Sequence, residues 1–169
     1  MELILLDKIL LALINITAIS LTVWVYLSGE NRPKINKYFS LVTLSMLSWV
    51  NAGYFLTYSS SSKQALLWAK IAPASVFIFF VLFYIFSLFF PKEQKRHVII
   101  NYLLIFWGVL WSLITLSTPY IIKGVQFEEW GINPIFNNWG KFVFYGTVLF
   151  FTLLIIYNLI KNYFASTVN

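Results

Sequence analysis

Long runs of apolar residues alternate with short polar segments along the whole chain. A bilayer's hydrocarbon core is about 30 Å thick, so a helix with a rise of about 1.5 Å per residue needs roughly 20 residues to cross it. Runs of this length predict spans at residues 9–27, 39–58, 71–90, 98–117 and 142–160. Membrane strands would instead show strict alternation over about 10 residues. The pattern therefore predicts an all-α integral membrane protein, a bundle of five transmembrane helices in a single membrane domain, 1–169.

Proline and serine residues lie at the ends of the third predicted span and near its start. A serine run at 59–62 precedes this span as a polar cap, and Pro91 follows it as a stop signal. Pro73 lies two residues into the predicted span, where the first turn of a helix tolerates proline. We therefore expect an ordinary helix start at this position.

Composition excludes a soluble fold. Of 169 residues, 60% are hydrophobic and 11% are charged, and mean hydropathy is +0.78, whereas a soluble domain carries about 25% charged residues. The net charge of +6 does not indicate nucleic acid as a partner, because the basic residues lie in short clusters rather than in a stripe. The bilayer itself is the expected partner, and we expect a multi-pass protein of the cell membrane.

Lysine and arginine positions predict the orientation, since short cytoplasmic loops are enriched in them. Seven of these 12 residues fall on one side of the predicted spans. They are Arg32, Lys34, Lys37, Lys92, Lys95, Arg96 and Lys161. The amino terminus is therefore expected outside and the carboxyl terminus in the cytoplasm.

Catalytic chemistry has little support in the sequence. The chain has no cysteine and a single histidine, His97, which falls in a basic turn. No Asp, Glu, Lys, Arg or His lies within the five predicted spans, although buried ionisable groups usually mark catalysis or ion transport in membranes. We therefore expect no catalytic residues, no cofactor and no metal site, and we do not expect an enzyme.

Neutral polar residues inside the spans say more about helix contacts and binding than the charged residues do. Ser45, Ser48 and Ala52 share one helical face, with Asn51 beside them, which suits either close helix packing or a polar pocket. The residues predicted to form polar contacts between helices are Asn15, Ser48, Asn51, Ser75 and Thr115.

The segment at 118–141 is predicted to be an outer loop, and it is unusually aromatic for a solvated linker. One interpretation is a flap that rests among lipid headgroups. The other is a lid over a cleft between helix ends, where a small apolar or lipid-like ligand binds. The candidate residues for the ligand or lid are Glu128, Glu129, Trp130, Asn133 and Trp139.

The order of these features resembles the amino-terminal seven-span sensor region of bacterial histidine kinases. The matching residues begin with the basic turn at 31–34 and continue through 39–42, Trp49 and 53–55. They extend through 65–70, 89–91 and the aromatic loop to a last span that runs into 161–164. The resemblance implies a sensor that binds rather than reacts and that signals to a carboxyl-terminal transmitter.

Only five spans are predicted here, against seven in that family. We therefore expect either a piece of a longer sensor, whose missing transmitter carries any kinase activity, or a stand-alone relative that acts on a cytoplasmic signalling partner. Two alternatives from other classes remain open: a membrane assembly protein that holds partners, and a small transporter subunit.

Overall fold

A computed structural model describes residues 2–28, 33–91, 98–129 and 131–167 of the chain. Five helices and two strands account for most of them. In chain order these are α1 (Glu2–Leu27), α2 (Pro33–Thr57), α3 (Ser62–Phe89), α4 (Val98–Ser117), β1 (Ile122–Glu128), β2 (Gly131–Phe136) and α5 (Asn138–Thr167).

All five helices are long and apolar enough to cross a membrane. The predicted helical spans are thus present, and their length and composition support a multi-pass membrane protein. The shortest helix, α4, has 20 residues and matches its predicted bounds. The other four extend beyond their predicted apolar cores by one or more residues at one end or both, because the hydrogen-bonded backbone continues past the purely apolar part.

Helix α3 lies at the centre of the bundle. It packs against α2, α4 and α5, whereas α1 packs against α2. The most apolar window of α3 is 44% buried, compared with 6% for α1, so α3 is an interior helix and α1 a peripheral one. Small buried residues on α3, among them Ala65, Ala69 and Ala74, allow neighbouring backbones to approach closely.

The start of α3 differs from the sequence expectation. Ser61 caps the helix, and its hydroxyl accepts a hydrogen bond from the backbone N–H of Gln64 at 3.3 Å. Because α3 begins at Ser62, Pro73 lies in the helix interior, and the expectation of a first-turn proline is wrong. A membrane helix tolerates such a proline because its neighbours can satisfy the freed backbone groups.

Part of the predicted outer loop at 118–141 is folded as a hairpin. Strands β1 and β2 form an antiparallel hairpin, with Gln126 opposite Asn133 and Glu128 opposite Gly131. Gly131 has φ of 148°, a backbone conformation that side-chain-bearing residues rarely adopt, so glycine suits the turn. Helix α5 begins at Asn138, which places Trp139 in its first turn rather than in a loop.

The hairpin, the end of α2 and the start of α3 meet at one end of the bundle, which we call the hairpin end. Tyr58 follows α2 at this end and donates a hydrogen bond to Asp7 near the start of α1. The carboxyl ends of α1, α3 and α5 therefore lie toward the opposite end.

Candidate functional site

The hairpin covers a compact apolar cluster at the hairpin end. Its buried members, which we call the hairpin cluster, are Leu56, Ala65, Ala69, Ile121 and Ile122. Side chains packed around them come from α3, α4, both strands and α5. The hairpin thus packs directly against the helices.

The hairpin segment packs tightly against the start of α5. The backbone N–H of Asn137 donates to the carbonyl of Ile121 at 2.9 Å. A Cβ added at Gly140 would lie 2.6 Å from the carbonyl oxygen of Tyr120 and 2.7 Å from the Cα of Ile121. Only glycine therefore lets the first turn of α5 lie directly against the segment that leads into β1.

Two indole N–H groups beside the hairpin cluster have no hydrogen-bond partner among the residues that the structure describes. They belong to Trp68 of α3 and Trp111 of α4, and both nitrogens are buried. Trp68 stacks on Phe55 with ring centroids 4.7 Å apart, and Trp111 lies 5.8 Å from the ring of Tyr120. A buried donor without a partner costs about 1–3 kcal/mol. Two such donors in an apolar setting complement an apolar molecule that carries acceptor oxygens.

The residues predicted to hold a ligand do not form this cluster. Asn133 donates to Glu128 at 3.4 Å across the hairpin, so the structure brings these two together. Glu129 is exposed in the turn, and Trp139 is 70% exposed with its ring edge-on to Phe142. Trp130 lies outside the described residues. The cluster is instead built from aliphatic residues, and Trp68 and Trp111 pack against it.

Asn15 and Asn51 form a reciprocal amide pair between α1 and α2. The Nδ2 of Asn15 donates to Oδ1 of Asn51 at 3.1 Å, and the reverse bond is 2.7 Å. Each amide also donates to a carbonyl of its own helix, from Leu11 and Leu47 respectively, at 2.8 Å. All four of these bonds satisfy polar groups within apolar helices, and two of them tie α1 to α2.

Serine residues line a groove where α2, α3 and α4 meet. The hydroxyls of Ser48 and Ser75 are 2.9 Å apart, and Ser112 of α4 donates to the carbonyl of Ala74 at 3.1 Å. The groove encloses about 290 Å³. Its polar groups thus serve helix packing and line a pocket at the same time. Thr115, by contrast, donates to Trp111 within α4 at 2.7 Å, so the hydrogen bond of its hydroxyl is not one between helices.

A second polar network, which sequence reasoning missed, joins α3 to α5 toward the opposite end. Asn158 donates to the hydroxyl of Ser87 at 3.1 Å, and Asn162 donates to the carbonyls of Ser87 and Phe90 at 2.8 and 2.9 Å. Asn162 is 1% exposed and caps the last turn of α3. The signal was present: two amides four residues apart share one face of an apolar helix.

Charged groups play a small part among the described residues. Within these ranges, no set of three His, Asp or Glu side chains lies close enough to hold a metal ion. Tyr58 lies beyond the end of α2, and its hydrogen bond to Asp7 raises the pKa of the phenol to about 12, with desolvation and the nearby charge acting in the same direction. His97 lies outside the described residues.

Comparisons with family models, with curated proteins and with solved structures find no match to this chain. The function is therefore inferred from the geometry of the bundle and its hairpin.

Proposed function

We propose that this protein is the membrane-embedded input region of a signalling protein and that any catalytic output resides outside this chain. The stimulus is a small apolar or lipid-like molecule that carries an acceptor oxygen and binds beneath the hairpin. The observation that supports this most is the pair of buried, unpaired N–H groups of Trp68 and Trp111 beside an apolar cluster. A ligand oxygen would satisfy donors that the protein leaves unmatched.

The orientation in this proposal places the hairpin outside the cell membrane. Seven of the 12 lysine and arginine residues fall in the α1–α2 and α3–α4 connections, near the start of α2, or near the end of α5. Enrichment of this kind is typical of cytoplasmic segments. The hairpin then meets ligands from outside or from the outer leaflet, and α5 ends at the cytoplasm.

Helix α5 supplies a route from the hairpin to the opposite end. Its first turn is pressed against the hairpin at Gly140, and Val143 packs on the hairpin cluster. Its later turns are bonded to the end of α3 through Asn158 and Asn162. A ligand transmits a signal only if it binds one packing of these helices better than another. A change in how the hairpin packs on the helices would shift α5 against α3 and provide the second packing.

A labelled single-cysteine protein tests the proposal, because the chain has no native cysteine. Tyr163→Cys places an environment-sensitive fluorophore on the exposed face of α5 near its end. The protein is reconstituted in nanodiscs, and a photoactivatable diazirine analogue of palmitic acid serves as the probe. We expect crosslinks at the hairpin cluster and a change in fluorescence that saturates with probe concentration.

Variants separate specific binding from nonspecific partitioning into the bilayer. Trp68→Phe combined with Trp111→Phe removes both unpaired donors and should abolish the fluorescence response. Trp107→Phe is the matched control, because its N–H is bonded to Thr147 at 3.4 Å and its ring is 45% exposed. Crosslinks spread equally over all helices, or an identical response in both variants, would refute the proposal. Saturable solute flux in liposomes would instead identify a transporter subunit. A stoichiometric partner whose binding the probe does not change would identify an assembly protein.

A further inference from the structure

A groove between α1 and α2 lies at the end opposite the hairpin. It encloses about 380 Å³ and is continuous with a second groove of about 270 Å³, because both are lined by Tyr26, Leu27 and Lys37. A volume of this size lies within the range of small-molecule sites. The remaining lining residues of the larger groove are Thr22, Val23, Ser40, Leu41 and Leu44.

The groove changes character along its length. Lys37 lies near the start of α2, and Leu44 lies seven residues further into the bundle, about 10 Å along the helix axis. The deeper part offers apolar surface, because its hydroxyls are already used. Thr22 donates to the carbonyl of Ala18 at 2.7 Å, and Ser40 donates to the carbonyl of Thr22 at 3.1 Å.

The shallow part has positive potential from two sources. The first is the ammonium of Lys37, which forms no ion pair within the described parts of the chain. The second is the amino-terminal end of the 25-residue helix α2, where the helix dipole favours anions, although the carboxyl-terminal end of α1 at Leu27 offsets part of this effect. Tyr26 adds a phenol, 59% exposed, to the same mouth. An anionic oxygen at this position would meet a cation, a hydroxyl donor and a helix amino terminus together.

Hydrogen bonds between α1 and α2 fix the two helices that form the groove. The Nδ2 of Asn36 donates to the carbonyl of Val25 at 2.8 Å, and Ser40 and Thr22 are bonded across the same helix pair. These bonds join α1 to α2 along the groove. A ligand therefore enters a site whose shape is already set, which lowers the entropic cost of binding.

We infer that this groove binds one anionic phospholipid of the bilayer, with the phosphate on Lys37 and Tyr26 and one acyl chain along Val23, Leu41 and Leu44. The anionic headgroup matches the positive charge at the mouth of the groove, and the acyl chain matches the apolar surface deeper in the groove. This site is independent of the stimulus site proposed beneath the hairpin, and it lies on the other side of the membrane. In the proposed orientation it faces the cytoplasmic leaflet, where basic residues near the surface attract anionic headgroups.

Native mass spectrometry of the whole protein, released from nanodiscs that contain equal amounts of phosphatidylglycerol and phosphatidylcholine, tests the inference. We expect the wild type to retain one phosphatidylglycerol in preference to phosphatidylcholine. Lys37→Gln should reduce this preference about fivefold, from the energy that one basic residue contributes near an anionic surface. Lys161→Gln removes the same charge from α5 away from the groove and should leave the preference unchanged.

A second variant tests the acyl-chain part of the site. Leu44 is 45% exposed, so Leu44→Trp fills the groove without overpacking the interior, and thermal unfolding verifies that the variant folds. Loss of the retained lipid with Lys37 intact would support the inference. Equal retention of both lipids, or an equal loss in Lys37→Gln and Lys161→Gln, would overturn it. A dimer that disappears in Leu44→Trp but persists in Lys37→Gln would assign the groove to a second copy of the chain and would also overturn it.

Discussion

Gly140→Ala should loosen the hairpin from the bundle. The added methyl group would lie 2.6 Å from the carbonyl oxygen of Tyr120, 2.7 Å from the Cα of Ile121 and 3.0 Å from the carbonyl oxygen of Ile121. All three are backbone atoms, so no side-chain rotation relieves the contact. Either the first turn of α5 or the segment before β1 has to move.

The magnitude follows from two opposing terms. Overpacking in a well-packed region costs about 1–3 kcal/mol. Alanine in place of glycine in a helix gains about 0.5–1 kcal/mol, and less in the first turn, where Gly140 lies. We therefore expect a net loss of about 1–2 kcal/mol in the free energy that holds the hairpin against the bundle. Such a loss corresponds to a factor of about 5–30 in the population of the open form.

Hydrogen exchange followed by mass spectrometry measures this population directly. In Gly140→Ala, exchange of the amides that join β1 to β2 and of Asn137 should accelerate by that factor. Gly146→Ala is the matched control on the same helix, since a Cβ there meets nothing within 4 Å and only the gain in helix propensity remains. The reasoning would be refuted if the two variants exchanged at the same rate at the hairpin.

Three further predictions concern polar contacts. Asn162→Leu should lower the free energy of unfolding in detergent by about 1–3 kcal/mol, because it orphans the carbonyls of Ser87 and Phe90, whereas Ile156→Ala on the exposed face should not. A double-mutant cycle of Asn15→Leu and Asn51→Leu should give a coupling energy of about 0.6 kcal/mol, and independent effects would contradict the amide pair. The phenol of Tyr58 should titrate with a pKa of about 12 in carbon-labelled tyrosine NMR, and nearer the ordinary tyrosine pKa of 10.0 in Asp7→Asn. The stabilising bond is therefore present below pH 10 and is lost as the pH rises through 12.

The helices were predictable because each must satisfy a length requirement that the sequence displays directly. Helix α4 shows this most clearly, since its apolar run and its helix have the same bounds. Pro73 was misplaced because hydropathy locates only the part of α3 that suits hydrocarbon, whereas the helix begins 11 residues before the proline, at its capped start. Helix ends depend on local hydrogen bonds, such as the one from Gln64 to Ser61, rather than on hydropathy.

The hairpin and the tryptophan pair were not predictable for a different reason. β1 and β2 are short and outside the apolar runs, and their register depends on how Ile121 and Ile122 fit against α2 and α3. A strand pattern of seven residues carries little information alone. The unpaired state of Trp68 and Trp111 is a property of the folded cluster, because any exposed indole would be bonded to water.

Helix neighbours in this bundle are decided by polar and small residues more than by hydrophobicity. Lipid chains are as apolar as leucine, so burial of apolar surface does not favour one helix pairing over another. Helix α3 has a specific polar contact with each neighbour: Ser75 with α2, Ala74 with α4 and Ser87 with α5. Each such bond contributes only about 0.6 kcal/mol, so a ligand of ordinary affinity can outweigh several of them. A bundle ordered by weak, neutral contacts around one central helix is therefore suited to changing its packing in response to a bound molecule.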